Sequence, residues 1–174
     1  GNSDDGATPN SNASMFLLSN GTILNKMTFI GMNGWTPGTT AADITTSTIR
    51  GVVARLNPAS PITTKSPYVL ECAAILSGGM GAVVDGSVHS SGNKSMLFHE
   101  YTVISDSGVA FWAKDGARVE MVSCFTYYNY FGYAATGGAQ IRSLSGNNSY
   151  GMYGAYSSGY DSSETALTGT LVGQ

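Results

Sequence analysis

Five carboxylates stand among the regular apolar runs of this chain: Asp85, Glu100, Asp106, Asp115 and Glu120. Two carboxyl groups held about 5–9.5 Å apart across a sugar can hydrolyse a glycosidic bond, one as acid and the other as base or nucleophile. Asp85, Glu100, Asp106 and Asp115 are therefore the candidate catalytic set, and the chemistry would be depolymerisation of a polysaccharide. Three of the five also have a purely structural reading. Asp85 and Asp115 each precede a glycine, where a short carboxylate caps its own turn. Glu120 stands 22 positions before Arg142, a separation that a repeat of that length would turn into an ion pair. These local roles outweigh catalysis, and the chain reads as leaning away from an enzyme.

Other reactive residues are sparse. His89 and His99 are the two histidines, and no G-x-S-x-G elbow accompanies them, so a serine hydrolase triad has no nucleophile to build on. His99-Glu100 is followed by Tyr101-Thr102-Val103, which lacks the second histidine of an H-E-x-x-H zinc site. No metal site and no cofactor are expected. Cys72 and Cys124 have no metal-ligand spacing and read as buried free thiols. The glycines at 78–81 and 137–138 precede no helical pattern, so they mark corners and not phosphate loops.

The tyrosines are the remaining chemistry. Tyr127, Tyr128, Tyr130 and Tyr133 are followed by Tyr150, Tyr153, Tyr156 and Tyr160. Stacked at an inter-strand spacing of about 4.8 Å, such rings form a ladder that can lie on sugars or bury against sister chains. Tyr127, Tyr130, Tyr133, Tyr153 and Tyr156 are the candidate contacts for a glycan or an oligomer. Tyr128 and Tyr150 are expected to face the core.

A repeat positions these residues. DGARVEMVSCFTYYNYFGYAA (residues 115–135) lies over GGAQIRSLSGNNSYGMYGAYS (residues 137–157) at a constant offset of 22 with no gap. A period of this length, punctuated by Gly, marks a solenoid in which each repeat is one coil. Leu97, Val119 and Ile141 fall in one column of the frame, and Ala110, Gly132 and Gly154 in another. Upstream, Lys65-Ser66 with Glu71 precedes Lys94-Ser95 with Glu100 by 29 positions. The additional residues of that coil are expected in the Gly-rich run 77–81. MFLLSNGTILNKMTF (residues 15–29) matches AFWAKDGARVEMVSC (residues 110–124), with Phe16 over Phe111.

Asn20-Gly21, Asp85-Gly86, Asp115-Gly116 and Gly137-Gly138 separate short apolar runs and supply positive φ at corners. The runs VVARL, YVLE, AVVD, YTVIS and ARVEMVS have strand length and β-branched content. Stacked coils pair each strand in parallel with its equivalent, so the expected fold is an all-β, right-handed parallel β-helix with coils of about 22 residues. An antiparallel sandwich is the alternative, but it would not generate a gapless repeat.

The whole chain, 1–174, is read as one domain. Residues 36–67, with Pro37, Pro58, Pro61 and Pro67, are expected to leave the stack as an excursion carrying Arg50, one strand over Ile49–Leu56, and Arg55. Residues 161–174 lose the pattern and are expected to be irregular. A solenoid normally blocks its last coil, so a longer parent chain or a capping partner is expected.

Composition narrows the partners. Only 11% of residues are charged and the net charge is −3, without the clustered Lys and Arg that phosphate backbones require. Nucleic acid is therefore not an expected partner. No apolar run approaches the length of a membrane span, so no membrane insertion is expected.

FWAKDGARVEMVSCFTYYNYFGYAATGGAQIRSLSGNNSYGMYGAYSSGY (residues 111–160) resembles a phrase that recurs in large virion structural proteins of tailed phages, especially myoviruses of marine cyanobacteria. SPITTKSPYVLECAAILSGGMGAVVDGSVHSSGNKSMLFHEYTVI (residues 60–104) is similar to the same group. The resemblance implies a structural, tail-, baseplate- or fibre-associated segment located in the virion and assembled in the host cytoplasm. It implies other virion proteins as partners and brings no catalytic residues with it. A stiff spacer or adhesin, assembled as a homo-oligomer with a trimer favoured, is the resulting expectation. Depolymerase activity on host surface polysaccharide, or glycan binding without cleavage, are the alternatives.

Overall fold

The computed structural model describes residues 14–60, 62–87 and 94–159. The first pass of the chain holds β1 (Ser14–Leu18), β2 (Ile23–Asn25) and β3 (Thr28–Ile30), followed by a 3-10 helix over Ala41–Thr46. The next holds β4 (Val52–Leu56) and the bent β5 (Tyr68–Leu76), and then come β6 (Met80–Asp85) and the bent β7 (Ser95–Ser105). Three strands make each later pass: β8 (Val109–Lys114), β9 (Arg118–Val122) and β10 (Phe125–Tyr127), then β11 (Phe131–Thr136), β12 (Gln140–Leu144) and β13 (Asn147–Ser149). β14 (Tyr153–Ser158) follows.

Every pairing between these strands is parallel. β1-β4-β6-β8-β11-β14 form one six-stranded sheet, and β2/β3, β5, β7, β9/β10 and β12/β13 stack in the same order beside it. The chain is a parallel β-solenoid, with passes about 26 residues apart on average.

Spacing follows the repeat where the repeat is clean. Phe131 pairs with Val109 on one side and Tyr153 on the other, each 22 positions away. One register differs: Val119 stands over Met96 and Glu120 over Leu97, so Met96, not Leu97, shares the column of Val119 and Ile141. The loop from Ser105 to Gly108 holds one residue more than Tyr128–Tyr130, which shifts the earlier coil by one. The longer coil is also built differently from expectation. Met80 pairs with Val109 and Asp85 with Lys114, both 29 positions on, whereas Ser95 pairs with Arg118, 23 positions on. The additional residues therefore lie between Asp85 and Ser95. The Gly-rich run serves close packing instead: a Cβ on Gly79 would stand 2.6 Å from the Met32 carbonyl oxygen and 2.9 Å from that of Gly51.

One corner recurs along the whole stack. Lys26, Glu71, Glu100, Ser123 and Ser145 occupy the same position in successive passes and all have φ between 50° and 55°. A non-Gly residue in the left-handed region costs on the order of 1–3 kcal/mol, and here the ladders on both sides of the corner fix it.

Alternation places the core. Leu24, Val69, Phe98 and Met121 form one inward column, and Phe29, Ala74 and Val103 another. The first turns polar at the last pass, at Ser143, and the second one pass earlier, at Thr126 and then Asn148. The outward face of the six-stranded sheet is buried as well. Val52, Met80, Val83, Val109, Trp112 and Phe131 pack under Trp35 and Ile44 from the segment between β3 and β4. This explains why β4, β6 and β8 read as continuous apolar runs. Residues 36–67 thus do not simply leave the stack: β4 is an interior rung, and the stretch before it is a lid over one face.

Candidate functional site

The candidate acids fall on three corners, with Asp85 and Asp115 sharing one. Asp85 and Asp115 come together, because Lys114 Nζ lies 3.5 Å from Asp85 and 3.0 Å from Asp115. Asp85 is only 5% exposed and also accepts hydrogen bonds from the Ser87 backbone N–H (2.9 Å) and hydroxyl (2.6 Å). The turn-capping role is therefore its actual one. A shared ammonium and a buried carboxylate leave no opening between the pair for a sugar. Burial, opposed by the attraction of Asp85, holds the Arg55 guanidinium below its ordinary pKa; Arg55 is itself buried. Glu100 lies at the left-handed corner, beside Glu71 of the previous pass and 3.8 Å from His99 Nε2. Lys26 Nζ is 3.4 Å from Glu71. Asp106 is exposed on the β7–β8 loop, at the third corner. Glu120 and Arg142 form the ion pair read from their spacing, at 3.2 Å. His89 lies outside the described residues, as do Tyr160 and residues 161–174. Among the described residues, no three His, Cys, Asp or Glu side chains converge as metal ligands.

The tyrosines divide three ways. Tyr128 and Tyr150, expected in the core, are instead exposed at 54% and 79%. Both hold φ near 60°, and this corner conformation turns the side chain out while the next residue, Asn129, goes in. Asn129 is buried and donates its amide to the carbonyls of Val103 (3.1 Å) and Tyr127 (2.9 Å). Tyr130, Tyr153 and Tyr156 pack against the outer apolar cluster around Phe131. Phe131 stacks on Tyr153 at 5.3 Å, and Trp35 meets Tyr130 at 5.9 Å. These three are half-buried lid contacts, and burial raises the pKa of Tyr130. Tyr133 faces inward in the column of Phe111. Its hydroxyl donates to the Cys124 carbonyl at 3.4 Å and accepts from the Ser143 hydroxyl at 3.3 Å. With Ile141 and Ala155 it lines an apolar cavity of about 540 Å³ in the last pass. Tyr127 alone faces out from a strand, continuing a column of Ile30, Ile75 and Ile104.

The thiols are interior. Cys72, Tyr101 and Cys124 occupy one column in successive passes, with Tyr101 between the two sulfurs. Two rungs of about 4.8 Å exceed the reach of a disulfide, and both cysteines are free. Burial pushes the Cys124 thiol up to about 11.

Sequence reasoning passed over one recess. Gly34–Gly38, Asp43, Thr46–Thr48 and Arg50 enclose a polar pocket of about 370 Å³, with Trp35 in its wall. The signal available in the sequence was a Trp, an Asp and an Arg within sixteen positions of a stretch otherwise rich in Thr and holding no other charged residue.

The fold and these surfaces define a parallel β-solenoid with one lidded face. No protein-family model, curated protein or solved structure matches the chain. Among the described residues no helix is long and apolar enough to cross a membrane.

Proposed function

We propose that the chain is a structural β-solenoid segment of a tailed-phage virion protein, acting as a stiff, non-catalytic spacer or adhesin. The observation that carries this reading is the stacking of the strands in unbroken parallel register, with Asp85 and Asp115 engaged by Lys114 and Glu120 by Arg142. A rod held by backbone ladders and apolar columns depends little on exposed ion pairs, which salt screens. The resemblance of residues 60–104 and 111–160 to tail-associated proteins supplies the virion setting. Serum raised against the chain is expected to decorate particle tails in electron micrographs. Particles that stay unlabelled while the disassembled protein is recognised would overturn the setting.

The proposed oligomer is three copies of this chain packed along the outward column Ile30–Ile75–Ile104–Tyr127. Ile30 and Ile75 are exposed apolar residues on one straight line parallel to the solenoid axis, and copies with parallel axes can bury the same stripe against one another. Sedimentation is expected to give a trimer, reduced to monomer by Ile30→Lys with Ile75→Lys. A wild-type monomer at high concentration excludes it.

A further inference from the structure

The pocket beneath the lid segment has the chemistry of a ligand site. Trp35 is 4% exposed, yet its indole Nε1–H has no hydrogen-bond partner. The contrast with Trp112 is direct, since that indole donates to Thr136 Oγ1 at 2.9 Å. Arg50 is half-buried, its Nε is buried and unpartnered, and no carboxylate among the described residues lies within ion-pair distance of it. Unpaired buried donors cost free energy unless something accepts from them. Trp35 and Arg50 both line the recess; unsatisfied donors on its lining residues call for an acceptor with negative charge, and a guanidinium suits a planar oxyanion.

The opposite chemistry lines the rest of the pocket. Thr46 Oγ1 and Ser47 Oγ both donate their protons to the Asp43 carbonyl, at 3.2 and 3.0 Å. What those hydroxyls have left to offer is lone pairs. Asp43 adds a carboxylate that accepts from the Thr40 N–H at 2.8 Å and its hydroxyl at 3.1 Å, and the backbone bond foremost lowers its pKa. A Cβ on Gly38 would fall 2.4 Å from the Asp43 Cβ, so glycine there allows this packing. The pocket therefore combines donors for one oxyanion with acceptors for hydroxyl groups. One cation against one fixed carboxylate disfavours a dianion such as phosphate.

From this complementarity we propose that the pocket binds a monoanionic, polyhydroxylated ligand, a sugar acid of the uronate type, with its carboxylate on Arg50 and Trp35 and its hydroxyls toward Asp43, Thr46 and Ser47. The volume lies within the range of small-molecule sites, about 300–1,000 Å³. This site is independent of whether the chain belongs to a virion.

The two indole N–H signals in a ¹⁵N-correlated NMR spectrum of the intact chain provide the test, with Trp112 as the internal control. Glucuronate is expected to shift the Trp35 signal saturably and leave Trp112 in place, with glucose and sodium chloride inert. Acetate is expected to bind at least about tenfold more weakly than glucuronate. Arg50→Gln is expected to weaken glucuronate by at least about tenfold, since it removes the charge-assisted bonds, with an unchanged Trp112 signal reporting a folded chain. Thr46→Ala, at an exposed position, is a second variant and is expected to weaken glucuronate more than acetate. Equal movement of both indoles, no shift with glucuronate, acetate as tight as glucuronate, or full binding in a folded Arg50→Gln would each overturn the proposal.

Discussion

Tyr128 and Tyr150 stack ring on ring across adjacent passes, 5.5 Å between centroids and 18° from parallel, while each backbone sits in the left-handed region at a corner. The corner makes the ladder: because φ is positive there, the side chain leaves the strand plane and meets its copy one rung on. Aromatic contact of this kind contributes roughly 0.5–1.5 kcal/mol, comparable with the backbone strain it accompanies.

Substitutions at Tyr128 should separate those two terms. Tyr128→Gly relieves the φ of 61° and loses the stack, so stability measured by urea denaturation is expected to stay within about 1 kcal/mol of the parent. Tyr128→Val loses the stack and places a β-branched residue at the same φ, and is expected to cost about 2 kcal/mol or more. Equal stability of the two variants would show that the corner does not constrain this residue.

The lid over the outer sheet face should be structurally necessary. Trp35 meets Tyr130 at 5.9 Å and Phe131 at 6.2 Å, and Trp35→Ala is expected to cost about 3–5 kcal/mol. Val52, Met80, Val83 and Val109 lie beneath it, so the variant is also expected to bind a hydrophobic dye in the native state. An unchanged denaturation midpoint would mean that the segment rests on the sheet without stabilising it.

The ion triad predicts non-additivity. Lys114→Met leaves the buried Asp85 without the ammonium 3.5 Å away and is expected to destabilise by about 3 kcal/mol, since an orphaned buried charge is costly. Adding Asp85→Asn should recover most of the loss. A double-mutant cycle with no coupling would place the stabilising role of Lys114 in its packing over Trp112, 5.4 Å away.

Alkaline pH should weaken the fold. The Cys124 thiol titrates near 9.0 when free and near 11 in place, and burial also raises Tyr101 well above its ordinary value. Between those pH values the unfolded chain releases a proton that the folded chain retains, so stability is full below about pH 9 and falls as pH rises toward 11. The Cys124 contribution amounts to about 2–3 kcal/mol. Thermal melts across this range should show the decline, shallower in Cys124→Ala. Iodoacetamide at pH 8 is expected to leave the Cys124 thiol of the folded chain unmodified; rapid labelling there would contradict its burial.

The solenoid was legible because a coil repeats its physical environment, so letters at one position recur: Phe16 over Phe111 and Glu120 beside Arg142 both sit in the columns their spacing gave. The 29-residue echo of Glu71 and Glu100 likewise marks one corner. What spacing could not give is where a coil takes in additional residues, since any corner can lengthen without changing the count. It also could not give which way a corner side chain points, and the positive φ at Tyr128 and Tyr150 turns both rings outward.

The architecture is written locally, because alternation, corner glycines and a fixed period are properties that stacking merely repeats. The character of the surfaces comes from long-range packing. The lid covers one sheet face and converts three tyrosines into packing, while Trp35 and Arg50 line one recess that no period describes. Those outcomes depend on where a non-repeating segment comes to rest, and its position is set by contacts between residues far apart in the chain.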